Sequence, residues 1–213
     1  MTVTLIDTPF SNRRNIHRAL ERAGASVTLS SSAETIASSA RIVLPGVGAF
    51  AASMQWLRER GIDSALREAV SRGASLLGVC VGHQLLFESS SEMGVTAGLG
   101  FLSGEVAPFD SMRRALPQIG WNTIRLGRSS ALFNGVGKGV GNGVAAEPHM
   151  YFVNSFRVRA SADAVAYASY AGEFVAAAER GNVRGVQFHP ERSSLAGAQL
   201  LRNFVSLEGG VEA

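Results

Sequence analysis

Residues Leu76-Leu-Gly-Val-Cys-Val-Gly82 carry the strongest local signal for the architecture of this chain. Its unbroken apolar run at 76–79 predicts a strand covered on both faces, as the strands of parallel sheets are. The glycines on either side of Cys80 permit a tight turn into a helix, which the sequence predicts over residues 83–88. Such a turn projects the side chain at its apex, and the unpaired N–H groups of a helix start favour a thiolate there. Cys80 is therefore a candidate nucleophile, although a free cysteine is as often a small buried hydrophobe.

Strand-like and helix-like segments alternate around this turn. Apolar runs at 4–6, 26–29 and 42–44 predict strands, whereas residues 12–23, capped by Asn12, and 50–70, broken at Gly61, predict helices. This alternation predicts an α/β fold with a mostly parallel central sheet flanked by helices. Runs at 118–124, 150–156, 173–176 and 184–188 predict strands that extend the sheet in antiparallel fashion. A final helix is predicted over 193–207, with Leu195, Leu200 and Phe204 available for packing.

Composition limits the classes of function. The chain has 213 residues, 46% of them hydrophobic, so residues 1–213 are expected to form one domain. A net charge of +3, carried by dispersed arginines, argues against a nucleic-acid partner. One cysteine and four scattered histidines predict no disulfide, no metal site and no other cofactor. Asp7 interrupts the N-terminus early and no stretch approaches the ~18 apolar residues of a membrane span, so a cytoplasmic protein without a membrane partner is expected.

The glycine-rich segment 135–143 resembles a phosphate loop only superficially. Lys138 is followed by Gly139, where such a loop needs Ser or Thr. A flexible connection is predicted instead.

His189 and Glu191 follow another predicted strand, with Pro190 fixing the turn between them. A histidine beside a thiol can take its proton, and a carboxylate on the far ring nitrogen would hold the required tautomer. The alternative is an ordinary polar strand end. Only proximity to Cys80 separates the two interpretations, and sequence spacing does not establish it.

The segment Leu44-Pro-Gly-Val-Gly-Ala-Phe50 is a glycine-flanked turn after a predicted strand. Glycines there permit backbone conformations that aim N–H groups at a ligand, as an oxyanion hole requires. A purely structural turn is the alternative.

In this order and at these separations, the three segments resemble the triad-type, class I glutamine amidotransferase family. The resemblance runs from about Ile6 to Phe204. Gly-Val-Cys-Val-Gly-His-Gln and Phe-His-Pro-Glu are similar to the wider family. Four further segments are similar to its histidine-biosynthesis branch, the glutaminase subunits of imidazole glycerol phosphate synthase: Pro45-Gly-Val-Gly-Ala-Phe50, Leu85-Leu-Phe-Glu88, Gly120-Trp-Asn122 and Tyr151-Phe-Val153.

The resemblance implies a flavodoxin-like α/β fold and hydrolysis of L-glutamine. Cys80 would attack the side-chain amide and form a glutamyl thioester, with His189 as base and then acid and Glu191 orienting it. The implied oxyanion donors are the backbone N–H groups of Val47 or Gly48 and of Val81. The implied contacts to glutamine come from Gln84, Glu92, Ser155 and Phe156.

The resemblance also implies a partner, a (β/α)8-barrel cyclase subunit that receives ammonia through a tunnel in a heterodimer. Asn12, Tyr151 and Arg192 match positions near the cyclase contact. The sequence departs from the family at Thr8-Pro-Phe-Ser11, where a Tyr-Gly-x-Gly loop is usual, at Asn154 for histidine, at Phe156 for tyrosine and at Arg192 for lysine. We also hypothesise that the Gly46–Val47 peptide must reorient for activity, because glycine flanks Val47 on both sides.

Three alternatives remain open at this level. The chain could serve another synthesis, such as that of anthranilate or pyridoxal phosphate. It could be a catalytically silent subunit that retains a reactive cysteine. It could also be a γ-glutamyl or cysteine hydrolase that acts without a partner.

Overall fold

The computed structural model describes residues 1–110, 114–137 and 147–207. Its helices are α1 Arg13–Arg22, α2 Ala33–Ala37, α3 Phe50–Glu59, α4 Ile62–Ser71, α5 Val81–Leu85 and α6 Ser194–Ser206, with 3-10 turns at Ala131–Phe133 and Pro190–Arg192. Its strands are β1 Thr2–Ile6, β2 Ser26–Ser30, β3 Arg41–Gly46, β4 Ser75–Cys80, β5 Ser89–Ser90, β6 Thr96–Ala97, β7 Glu105–Pro108, β8 Gln118–Thr123, β9 Arg125–Leu126, β10 His149–Asn154, β11 Phe156–Val158, β12 Ala164–Ser169, β13 Glu173–Arg180 and β14 Val183–Val186.

The largest sheet has the order β2-β1-β3-β4-β14-β13-β12-β9. Its pairings from β2 to β14 are parallel, and β13, β12 and β9 continue it in antiparallel fashion. Every residue of β3 and β4 is buried, as the unbroken apolar runs require when helices cover both faces. The prediction of an α/β fold with a mostly parallel sheet is confirmed.

The predicted antiparallel extension is only partly right. The strand predicted at 184–188 is β14, which pairs in parallel with β4, because Val183, Gly185 and Val186 are buried and suit an interior strand. The strand predicted at 118–124 does not join the large sheet. It is β8, and it forms a separate two-stranded sheet with β10 that leaves Ile119 and Trp121 exposed.

The strand predicted at 150–156 is interrupted at Ser155. β10 ends at Asn154, and β11 starts at Phe156 in a different sheet, where it pairs with β7. The Ser155 carbonyl accepts a hydrogen bond from the Phe109 N–H at 3.2 Å, which draws the chain away from β10.

The helix predicted at 83–88 is also misplaced, since α5 spans Val81–Leu85. Continuation is prevented because the carbonyls of 85–88 accept hydrogen bonds from the N–H groups of Leu99, Leu102, Gly100 and Gly98 respectively, at 2.8–3.0 Å. The predicted break at Gly61 is present, because Gly61 has a φ of 64° and precedes α4.

The predicted last helix is present as α6, and two of the three residues predicted to pack are buried. Leu195 is 75% exposed, whereas Leu200 and Phe204 are fully buried with Leu201. Asn12 precedes α1 but makes no capping hydrogen bond through its side chain. Most of the segment predicted as a flexible loop, residues 138–143, lies outside the described residues. None of the helices in the described ranges is long and apolar enough to cross a membrane.

Candidate active site

Cys80 sits at the turn between β4 and α5, at the carboxyl end of the parallel strands. Its φ of 57° and ψ of −112° are unfavourable for a residue with a side chain, and such strain concentrates at functional sites. The turn depends on close backbone packing: a Cβ on Gly82 would lie 1.9 Å from the Leu44 carbonyl oxygen, and one on Gly78 would lie 2.5 Å from that of Gly82. Glycine is therefore required at both positions.

His189 reaches Cys80 through the register of two neighbouring strands. β14 pairs with β4 so that Val186 lies beside Val79, and the chain then continues past the end of the sheet to His189. The backbone N–H of His189 donates to the Tyr151 carbonyl at 2.8 Å, which anchors this segment to β10.

The His189 ring lies between two partners. Its Nδ1 is 2.9 Å from Glu191 Oε1. The imidazole also hydrogen-bonds the Cys80 side chain. The side chains of His189 and Glu191 are 10% and 4% exposed, so this contact is largely shielded from water. The structure thus brings together the three residues that the sequence proposes as a triad.

The environment of His189 favours its protonated form. Burial by itself lowers the pKa of His189, but the hydrogen bonds and charges of Cys80 and Glu191 outweigh that effect and raise it to about 10. The ring therefore carries a proton at neutral pH, and a protonated imidazole beside a sulfur favours a thiolate.

A cavity of about 230 Å³ opens onto Cys80 and His189. It is lined by Val47, Gly48, Cys80, Val81, Gln84, Glu92, Pro117, Val153, Asn154, Ser155, Phe156 and His189. Every residue predicted to bind glutamine or to form the oxyanion hole therefore lies on its wall. Within residues 1–110, 114–137 and 147–207, no group of three or more His, Cys, Asp or Glu side chains is placed to hold a metal ion.

Two of the predicted glutamine contacts are fixed by hydrogen bonds. The Gln84 side-chain amide donates to the Phe156 carbonyl at 3.2 Å. Glu92 Oε2 accepts from the backbone N–H of Phe50 at 2.8 Å and so caps the start of α3. Ser155 and Phe156 lie at the interruption between β10 and β11, where their backbone can face the cavity.

The predicted oxyanion donors are only partly available. The Val47 N–H donates to the Phe10 carbonyl at 2.7 Å, so it is directed at the loop after β1. Gly48 has a φ of 89°, a conformation that favours glycine. Val81 is the first residue of α5, and first-turn N–H groups have no acceptor inside their helix.

Two of the three residues predicted at the partner contact, Tyr151 and Arg192, touch each other. Arg192 lies over the ring of Tyr151, with 4.0 Å from the guanidinium carbon to the ring centroid. Trp121 meets Tyr151 edge to face at 5.9 Å and is 54% exposed. Asn12 is exposed and lies directly before α1.

Sequence reasoning missed several residues at the site. Pro117 and Val153 line the cavity, and the Phe10 carbonyl holds Val47. Gln187 lies behind Cys80 and is fully buried. Only Gln187 carried a usable signal, since an amide between Val186 and Phe188 in a predicted strand needs a hydrogen-bond partner if it is buried.

His83 lies in α5, just after the Cys80 turn, and we expect it to make the stability of the protein sensitive to acid. Burial lowers its pKa to about 3, and neither ring nitrogen has a hydrogen-bond partner among the residues that the structure describes. Because the pKa is depressed on folding, this contribution to stability is complete above about pH 6.5 and is lost as pH falls towards 3. Between pH 6.5 and 4.5, wild type should lose roughly 2 kcal/mol more unfolding free energy than His83→Met in urea titrations. Equal losses in both proteins, with His17→Gln as control, would contradict this prediction.

Comparisons with known proteins agree with this geometry. Residues 4–207 match the family described as glutamine amidotransferase class-I. The chain is 41% identical over 215 residues to the imidazole glycerol phosphate synthase subunit HisH of Caulobacter vibrioides, covering 96% of this chain and 97% of that protein. It is 40% identical over 218 residues to the HisH subunit of Salinibacter ruber, covering 99% and 96%.

Solved structures share the fold at lower identity. A crystal structure of a glutamine amidotransferase aligns with a TM-score of 0.69 and 20% identity over 95% of this chain and 96% of that one. The structure of PurLQS from Thermotoga maritima aligns with a TM-score of 0.70 and 19% identity over 96% and 97%. The chain belongs to the class I glutamine amidotransferase family, and within it to the group of HisH subunits of imidazole glycerol phosphate synthase.

Proposed function

We propose that this chain hydrolyses L-glutamine to glutamate and ammonia through Cys80, His189 and Glu191, and passes the ammonia to a cyclase subunit. The observation that carries the proposal is the contact of His189 with both Cys80 and Glu191, since Cys80 and His189 line one cavity. The names of the HisH relatives support an enzyme of histidine biosynthesis that works as one subunit of a synthase. In the proposed synthase, the ammonia is used to make imidazole glycerol phosphate and an aminoimidazole carboxamide ribotide.

The geometry suits acyl transfer in two steps. The Cys80 sulfur attacks the side-chain amide carbon of glutamine, and the tetrahedral intermediate places its negative charge on the former amide oxygen. His189, which has taken the Cys80 proton as base, then gives a proton as acid to the leaving nitrogen, which departs as ammonia and leaves a glutamyl thioester. His189 then takes a proton from water as the water attacks the thioester, releasing glutamate and restoring Cys80. Glu191 holds the ring and stabilises its positive charge throughout.

The oxyanion hole is the part that we propose to be incomplete at rest. The Val47 N–H is occupied by the Phe10 carbonyl, and turning the Gly46–Val47 peptide would free it for the cavity. Since one oxyanion donor contributes about 100- to 1,000-fold in kcat, a partner that favours the turned peptide would stimulate hydrolysis strongly. An uncoupled glutaminase would waste glutamine, which gives such coupling a purpose.

We expect glutamine hydrolysis to be slow in the isolated chain and to rise about 100-fold or more with the histidine-pathway cyclase and its nucleotide. Glutamate release is measured with no partner, with this cyclase, and with anthranilate or pyridoxal phosphate synthases. Stimulation by another synthase alone would show that the chain serves a different pathway. Full activity without any partner would favour a hydrolase that acts alone.

The proposed docking face for the cyclase is formed by Trp121, Tyr151 and Arg192, with exposed Ile119 and Leu195 nearby in the sequence. Aromatic and arginine side chains of this kind are the usual energetic centres of protein interfaces. Asn12, which lies directly before α1, is also proposed to contact the cyclase.

Trp121→Ala should weaken cyclase binding by about 2 kcal/mol, or roughly 30-fold in Kd. The loss is expected because the indole is 54% exposed and stacks edge to face on Tyr151 at the proposed contact. Titration calorimetry measures it, with Leu126→Ala in β9 as a control that removes an exposed apolar side chain elsewhere. Equal affinities for wild type and Trp121→Ala would place the interface elsewhere.

We also propose that residues 1–213 form one domain, since the buried apolar residues of the described ranges make one continuous core. The proposed location is the cytoplasm, because Cys80 must remain a free thiol for the reaction and reducing compartments preserve thiols.

A further inference from the structure

The Phe156 carbonyl and the side-chain amides of Gln84 and Gln187 form a buried series of hydrogen bonds behind Cys80. The Gln84 Nε2 donates to the Phe156 carbonyl at 3.2 Å and to Gln187 Oε1 at 2.9 Å. Gln187 Nε2 in turn lies 3.9 Å from Cys80 Sγ as a donor. Gln187 is fully buried and does not line the cavity, so it acts from behind the nucleophile.

The Phe156 carbonyl fixes the direction of every hydrogen bond in this series. A backbone carbonyl can only accept hydrogen bonds, so the NH₂ of Gln84 must face Phe156. The same NH₂ faces Gln187, which must therefore present its oxygen to Gln84 and its own NH₂ to Cys80. If the Gln187 amide were flipped, its NH₂ would face the NH₂ of Gln84, and two donors would oppose each other.

The backbone of Gln187 is held as firmly as its side chain. Its N–H donates to the Ala176 carbonyl at 2.9 Å, directly after β14, so the residue is clamped between β14 and β13. A buried amide that is fixed at both ends has little freedom to lose when the nucleophile ionises.

We infer that Gln187 is a positioning residue of the reaction, which donates an N–H to the Cys80 sulfur and fixes Gln84 with its oxygen available to substrate. Both hydrogens of the Gln84 amide nitrogen are used by Phe156 and Gln187, so Gln84 can offer a ligand only an acceptor. That acceptor suits the ammonium group of an amino acid. The inference rests on the proposed role of Cys80 as nucleophile.

Two substitutions separate the effect of the N–H donated to the Cys80 sulfur from the effect of the hydrogen bond that orients Gln84. Gln187→Met conserves the length of the side chain but removes both bonds. Gln187→Glu keeps an oxygen for Gln84 while it replaces the donor facing the sulfur with a carboxylate oxygen. Gln199→Met is the matched control, since Gln199 donates to Asn203 Oδ1 at 2.8 Å in α6, away from the cavity.

Alkylation by iodoacetamide reports on Cys80 alone, because the chain has one cysteine. The midpoint of the pH profile of the alkylation rate should rise by about one pH unit in Gln187→Met and by more in Gln187→Glu. The KM for glutamine should rise about tenfold in Gln187→Met and less in Gln187→Glu, with Gln199→Met unchanged in both. Unchanged midpoints and KM in folded variants would reduce Gln187 to a structural amide.

A measurement on wild type covers the case in which the variants do not fold. The side-chain amide protons of Gln187, followed by NMR, should titrate with the same midpoint as Cys80 alkylation and shift when Cys80 is alkylated. Amide signals that neither titrate with that midpoint nor shift when Cys80 is alkylated would overturn the inference. If Cys80→Ala still hydrolysed glutamine, the proposed function would fail, while these two readouts would still decide the contact between Gln187 and Cys80.

Discussion

Cys80→Ala should reduce glutamine hydrolysis by about a millionfold in kcat, by comparison with other nucleophile deletions. Cys80 is the chain's one cysteine and the residue held in a strained backbone conformation beside His189, so no other thiol can replace it. Glutamate release is measured with the cyclase and its nucleotide present, so that loss of stimulation is not mistaken for loss of chemistry.

The control for this variant is its folding and its partner binding. Cyclase affinity and unfolding free energy should stay close to wild type, because the substitution removes only a sulfur atom. Activity that survives in a folded, cyclase-bound Cys80→Ala protein would remove the proposed mechanism.

Glu191→Gln should lower kcat by about 1,000- to 10,000-fold, with a much smaller change in KM. Glu191 Oε1 accepts from His189 Nδ1 at 2.9 Å, and a glutamine amide can present an N–H there, which selects the wrong tautomer. The carboxylate is also one of the groups that raise the pKa of His189 to about 10, so the pKa should fall in this variant. Steady-state kinetics and NMR titration of the imidazole measure the two effects.

Glu179→Gln is the matched control for Glu191→Gln. Glu179 pairs with Arg184 at 3.0 Å, away from the cavity. The Glu179→Gln substitution should leave kcat and the titration of His189 unchanged. A Glu191→Gln enzyme with kcat within threefold of wild type would show that the carboxylate is dispensable.

Local sequence patterns predicted the nucleophile turn because its requirements are local. Apolar residues on both faces specify an interior strand, and the glycines around Cys80 are demanded by backbone contacts as close as 1.9 Å for a built Cβ. The alternation of strands and helices likewise predicted the α/β class. Residues up to Cys80 were therefore placed nearly correctly.

The meeting of Cys80 with His189 could not be deduced from spacing, because it depends on β14 pairing in parallel with β4. A local apolar pattern does not reveal which neighbour a strand chooses, and the antiparallel extension predicted for this region was partly wrong. The early end of α5 has the same origin, since its last carbonyls are taken by residues 98–102. The partners of Gln187 were likewise not predictable, because the segments that carry Cys80, Gln84 and Gln187 meet only in the folded chain.

The central claim, that Cys80 is the acyl-accepting nucleophile, is tested most directly by intact-mass measurement after treatment with a glutamine-mimicking electrophile. With cyclase and nucleotide bound, we predict one adduct per chain, located on Cys80 by peptide mapping, protected by glutamine and absent from Cys80→Ala. An adduct on another residue, or an unmodified Cys80 in the stimulated complex, would contradict the account.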